Sequence, residues 1–134
     1  MSLIVDASVA IKWYAREPGS DQAVPYLSRD DLVAPDLVVA EVGNAFWKRI
    51  RRGVSIRAQA EAALKRLPVD IPSLVPLPAL CDAALDLAIA TDHPIYDCFY
   101  IALALREDAP IVTADARLAA LCEATSLRVE FIGG

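Results

Sequence analysis

Residues 3–13 read LIVDASVAIKW. An aliphatic run stops at a carboxylate, Asp6, and the chain then turns apolar again. The run reads as a short buried strand with Asp6 at its end. Residues 8–17, SVAIKWYARE, read as the helix that follows, stopped by Pro18-Gly19. A charge between two buried elements is costly unless something compensates it. The fold and the chemistry both turn on what that compensation is.

The pattern repeats outward from this point. Residues 31–35 (DLVAP), 110–115 (PIVTAD) and 127–132 (LRVEFI) read as further short strands, and the Pro-rich residues 68–78 hold one more. Residues 20–29 form a weak helical stretch. Residues 36–53, DLVVAEVGNAFWKRIRRG, make a strong helix with Asp36 as N-cap and Gly53 as its end. Residues 55–67, capped by Ser55, then 79–91, 97–107 and 116–124 complete the helices. Short apolar strands alternating with helices predict an α/β domain, a parallel sheet covered on both faces, spanning residues 1–134 as one unit. Such sheets place ligand sites at the carboxyl ends of their strands. Asp6 and Asp115 both stand at such ends.

Composition narrows the function. Hydrophobic residues make up 56% of 134 positions, enough for a core without staples. No apolar run reaches the roughly 18 residues that span a bilayer, and MSLIVD lacks the basic start of a signal peptide. The expected location is the cytoplasm, with no membrane partner. The cysteines, Cys81, Cys98 and Cys122, have no metal-binding spacing and are assigned to the core. The single histidine, His93, precedes a proline in a loop signal and is read as a turn residue; one histidine excludes a multi-histidine zinc site. A net charge of −5 excludes a bulk electrostatic magnet for nucleic acid.

Asp6, Glu41, Asp97 and Asp115 stand out by position. Capping explains an aspartate ahead of a helix, and solvent exposure explains Glu41, which falls opposite the apolar face Val39, Val42, Phe46 and Ile50. In combination they say more. Two strand-end aspartates meet at the top of the sheet. Asp97 opens a helix apolar on every side, which belongs in the middle of the domain, and its carboxylate joins them if that helix runs antiparallel to the strands. Clustered carboxylates repel, so such a site binds protons or cations, and oxygen donors select hard divalent ions. The chemistry supported is metal-assisted attack of water on a phosphodiester. A phosphoacceptor receiver domain needs a lysine beyond a late strand, and Lys12, Lys48 and Lys65 all lie elsewhere. A haloacid-dehalogenase-type phosphatase needs an aspartate where Ser8 stands.

Four stretches, IVDASVAIKW (4–13), APDLVVAEVGNAF (34–46), HPIYDCFYIALA (93–104) and IVTADARL (111–118), together resemble the PIN-domain ribonucleases of the VapC toxin type, in order and spacing. The resemblance implies an α/β/α sandwich around a parallel sheet. It implies that Asp6, Glu41, Asp97 and Asp115 bind Mg²⁺ or Mn²⁺ and act in RNA cleavage. Ser8 and Thr113 match hydroxyl positions beside the acids, and Asn44 a polar position one turn after Glu41. A β-branched strand residue explains Thr113 equally well. The resemblance further implies a homodimer and a cognate VapB-like antitoxin. The alternative is a PIN-like module that binds RNA or protein without catalysis.

Residues 47–53, WKRIRRG, concentrate Lys48, Arg49, Arg51 and Arg52 on an otherwise acidic chain. Lys48 and Arg52 follow Glu41 on nearly the same helical face, a track that would guide an RNA backbone toward the acids. Cations complementing a helix end explain them as well. Trp13, Tyr14 and Trp47 are open to base stacking, a dimer contact or core packing.

Overall fold

The computed structural model describes residues 2–133. The strands are β1 (Leu3–Val5), β2 (Leu32–Pro35), β3 (Ser73–Val75), β4 (Ile111–Thr113) and β5 (Val129–Phe131). They form one sheet in the order β3-β2-β1-β4-β5, and every neighbouring pair is parallel. Side chains alternate across it. Leu3 and Val5 enter one core with Leu32 and Ala34, while Ile4, Val33 and Ile111 enter the other.

Helices cover both faces. They are α1 (Ala7–Tyr14), α2 (Ser20–Ala23), α3 (Leu37–Arg51), α4 (Arg57–Asp70), α5 (Cys81–Thr91), α6 (Ile95–Glu107) and α7 (Ala116–Ala124). The first core takes Val9 from α1, Val42 and Phe46 from α3 and Leu67 from α4. The second takes Ala84 from α5, Leu118 from α7 and every residue of α6 from Cys98 to Ala104. The result is the α/β/α sandwich, with α6 as its most buried helix.

The topology fixes where a site forms. The chain steps outward from β1 to β2 and β3, then returns to lay β4 and β5 on the other side of β1. The direction reverses between β1 and β4, and a crevice opens at their carboxyl ends. Val5 lies opposite Val112 in register, so Asp6 and Thr113 leave the sheet side by side. Only residues 108–110 separate α6 from β4. Hence α6 descends antiparallel to the strands, with its amino end at that same crevice. Because α3 follows β2 across Asp36 alone, it too starts at this edge.

Several local expectations shift. Asp36 holds the N-cap position of α3, but its side chain caps nothing and is exposed. Ser55 is buried and accepts the Nε–H of Arg49 at 2.8 Å, while the amino end of α4 is closed by Gln59, whose Oε1 accepts the Ile56 N–H at 3.0 Å. Helix α4 continues through Pro68 to Asp70. A proline in a last turn removes one hydrogen bond, and the fully buried Leu67 and Ile71 on either side hold the backbone there. The inner face of α3 is Val38, Val42 and Phe46, a single i, i+4 row, and Ile50 is 38% exposed beyond the end of the core. Cys98 and Cys122 are buried as expected, whereas Cys81 is exposed on the outer side of α5.

Candidate functional site

Asp6 is 5% exposed and is held from two directions. One oxygen caps α1 by accepting the Ser8 N–H, and the other accepts the hydroxyl of the fully buried Thr113. The Thr113 oxygen also accepts the Asp115 N–H at 3.0 Å, and Ser8 Oγ accepts the Ala114 N–H at 2.9 Å. Since Thr113 spends its proton on Asp6, the 3.3 Å contact between the two hydroxyls has Ser8 as donor. The network ties the end of β1, the start of α1 and the β4–α7 connection into one unit. Burial pushes the Asp6 carboxyl up to about 6; the hydrogen bonds from Thr113 and Ser8 pull it back and the charge of Asp115 adds to the rise.

Asp115 caps α7 by accepting the Arg117 N–H at 2.8 Å. Capping is therefore a true role for both strand-end aspartates. It occupies one lone pair of each and leaves others for a further partner. Asp97 is not a cap: α6 begins at Ile95 and Asp97 lies in its first turn, where the positive helix end favours a carboxylate. Its Oδ2 is 2.9 Å from His93 Nε2. His93 thus serves the turn with its backbone and Asp97 with its ring.

Glu41 is not a solvated surface acid. It is half-buried against α6, where Tyr100, 1% exposed, donates its hydroxyl to Oε1 at 2.6 Å. Burial raises Glu41 to about 7, Tyr100 pulls it down, and the charges of Asp6, Asp97 and Asp115 all push it up. The topology brings these carboxylates, two from the caps of α1 and α7 and two from α3 and α6, to one edge of the sheet, where they repel Glu41. Burial and the Glu41 charge drive the Tyr100 phenol well above its ordinary value, so it stays protonated and stays a donor.

The donor set suits a hard divalent cation: carboxylates, two of them raised first by burial and further by neighbouring negative charge. Among the described residues, however, no three side chains of histidine, cysteine, aspartate or glutamate are gathered closely enough to hold one ion in common. Asp97 rests on His93 and Glu41 on Tyr100.

A cleft of about 470 Å³ leads away from the acids, lined by Ser8, Glu41, Asn44, Lys48, Arg52 and Tyr96 among others. The basic run divides. Arg49 turns inward, pairing with Glu17 at 3.3 Å and Ser55 at 2.8 Å, and Lys12 joins the same Glu17 at 3.3 Å. Arg49 and Glu17 form part of the cleft wall as a pair, whereas Lys48 and Arg52 line it without a carboxylate partner among the described residues. Trp13 and Tyr14 are taken up by the fold, through Ala23 O at 2.9 Å and Asp70 at 2.7 Å. Trp47 stays 51% exposed.

Tyr100 escaped the sequence reading. Its signal was a hydroxyl amid the apolar stretch Cys98–Leu105, three residues after Asp97. The spacing of His93, four residues before Asp97, was an equally local clue to their contact.

Residues 3–124 match the PIN domain family. The chain is 33% identical over 122 residues to Ribonuclease VapC3 of Pyrobaculum aerophilum, covering 89% of this chain and 93% of that protein. It is 34% identical over 119 residues to Ribonuclease VapC1 of Mycobacterium tuberculosis, covering 87% and 88%. The crystal structure of PAE2754 from Pyrobaculum aerophilum superposes with a TM-score of 0.74 at 25% identity, over 96% of this chain and 83% of that one.

Proposed function

The chain belongs to the PIN-domain family, among its VapC-type proteins, and on that premise we propose that it is a metal-dependent endoribonuclease acting as a toxin, with residues 1–134 working as one PIN domain. The observation that carries the reading is the position of Glu41. From the second turn of α3, the helix that leaves the end of β2, Glu41 is held by Tyr100 of α6 at 2.6 Å and stands in the field of Asp6, Asp97 and Asp115. Structural capping does not ask for a fourth acid there.

Asp6, Asp97 and Asp115 would hold Mg²⁺ or Mn²⁺, with Glu41 completing the set. A divalent ion bound there supplies a Lewis acid and an activated water for attack on phosphorus. The chain's own groups position everything else. Thr113 and Ser8 fix the Asp6 carboxylate, Tyr100 fixes Glu41, and His93 orients Asp97. Lys48 and Arg52 engage backbone phosphates along the cleft, and the Asn44 amide meets substrate between them and the acids. A second copy of the chain and a VapB-like antitoxin are the protein partners that this membership suggests, and the cytoplasm is the compartment. Among the described residues, no helix is long and apolar enough to cross a membrane.

The test is cleavage of total cellular RNA by the purified protein. Cleavage that needs Mg²⁺ or Mn²⁺ and disappears both with EDTA and in Asp97→Asn supports the enzyme. RNA binding without cleavage by the unaltered protein would leave only a binding module.

A further inference from the structure

Beside the first cleft lies a second one of about 440 Å³, lined by Trp47, Lys48, Arg51 and Arg52. Lys48 and Arg52 line both, so the two are neighbours on either side of these cations. The second cleft is built from one aromatic ring and cations, with no acid and no aliphatic side chain in its wall. On a chain of net charge −5 it is a positive island. Among the described residues, none of Lys48, Arg51 and Arg52 is paired with a carboxylate.

Trp47 is an exposed indole on a helix surface, at 51% of its area, although the Arg51 guanidinium sits 4.9 Å from its ring centroid. The two are one helical turn apart, so the pairing is local and preformed. Arginine therefore covers one side of the indole while half its surface still meets solvent. A large apolar ring beside cations that, among the described residues, have no carboxylate partner has the chemistry that recognises a nucleobase attached to a phosphate.

We propose that Trp47, backed by Arg51, is a stacking platform for an unpaired base of single-stranded RNA. The base would belong to a nucleotide a few positions away from the bond cut at the acids. Lys48 and Arg52 take the intervening phosphates. The proposal rests on the RNA-cleaving reading above and extends it: the substrate must be unstacked at two places, the cut and the platform. Helical rise sets the scale, since Trp47 follows Glu41 by six residues and hence by about 9 Å along α3. Every base offers a π-face, so the platform adds affinity without choosing a sequence.

Charge complementarity favours RNA over a protein at this cleft. Ile50 and Val54, 38% and 56% exposed nearby, are the side chains that a protein partner covering this helix end would touch.

The test measures binding in EDTA, so that affinity is read without turnover. The probes are a short single-stranded RNA oligonucleotide and the same oligonucleotide with abasic sites along its length. Trp47→Ala is expected to weaken binding of the intact strand by about ten- to a hundredfold, and to leave binding of the abasic strand unchanged. Trp47→Phe, which keeps a ring, should restore most of the loss. Equal losses on both strands, unchanged affinity for the intact strand, or no RNA binding by the unaltered protein would each overturn the platform. So would an altered oligomeric state shared by Trp47→Ala and Val54→Ser with RNA affinity unchanged, which assigns the helix end to a second copy. Metal-dependent cleavage by the unaltered protein, measured alongside, separates the readings. Cleavage without a Trp47 effect removes the platform alone, and a base-specific Trp47 effect without cleavage removes the enzyme alone.

Discussion

The two ends of the cleft along α3 are built in opposite ways. At one end, Asp6, Glu41, Asp97 and Asp115 arrive from separate elements, and the burial and mutual repulsion they suffer drive Asp6 to about 6 and Glu41 to about 7. At the other, Lys48, Arg51 and Arg52 come from two turns of a single helix, exposed and, among the described residues, without a carboxylate partner. The first end costs folding energy and exists only because the sheet topology assembles it. The second costs almost nothing and follows from a local run of sequence. A cluster that destabilises its own fold is one whose removal should help stability while abolishing its work, and that contrast separates function from packing.

Asp6→Asn puts the largest strain on this comparison. It should reduce cleavage by more than about a hundredfold, since the proposed mechanism needs the four acids as one unit. The metal-free fold should nevertheless gain stability. Asp6 has its carboxyl displaced from 3.8 to about 6, a difference of up to about 3 kcal/mol between its two protonation states. The folded state keeps its protons on Asp6 and Glu41 to higher pH than the unfolded chain does, so their contribution is complete below pH 4 and is lost as pH rises through 6 and 7. Melting in EDTA should therefore show stability falling from pH 5 to pH 8, less steeply in Asp6→Asn. A less stable variant with an unchanged pH slope would mean that Asp6 is chiefly a helix cap.

At the other end, Lys48→Glu with Arg52→Glu should leave melting unchanged. RNA affinity should fall, and the salt dependence should flatten by a slope of at least about 1.4 for a single strand. Arg49→Ala should do the reverse, costing about 1–3 kcal/mol of stability through Glu17 and Ser55 while leaving the salt slope alone. If Arg49 changed the slope and Lys48 with Arg52 did not, the division of the basic run would be wrong.

Tyr100→Phe is the smallest and most selective change. It keeps the ring in the core and removes the donor to Glu41. Cleavage should drop about tenfold and recover in part at higher Mn²⁺, with stability nearly unaltered. No effect on metal dependence would make Tyr100 a packing residue only.

What the chain disclosed beforehand follows the same divide. The strands were legible because LIV, LVAP and IVT are continuous apolar runs between turn signals, and the aspartates at their ends were legible because a carboxylate there needs a reason. Even Ser73–Val75, hidden among prolines, left its trace. Glu41 was half legible: its helical face was visible, but its burial depends on α6 crossing nearby, which no periodicity encodes. Tyr100 was missed for the same reason. Ser55 and Asp36 looked like caps by residue type alone, and tertiary partners decided otherwise: Arg49 claimed one, and the other was left in solvent. Local chemistry marks where polar groups sit; only the topology settles what they face.

The most direct measurement is an anomalous diffraction map from crystals soaked in Mn²⁺. Manganese density in contact with carboxylate oxygens of Asp6, Asp97 and Asp115, with Glu41 turned toward it, is the expected result. Density elsewhere, or none among these acids in crystals of protein that cleaves RNA with Mn²⁺, would contradict it.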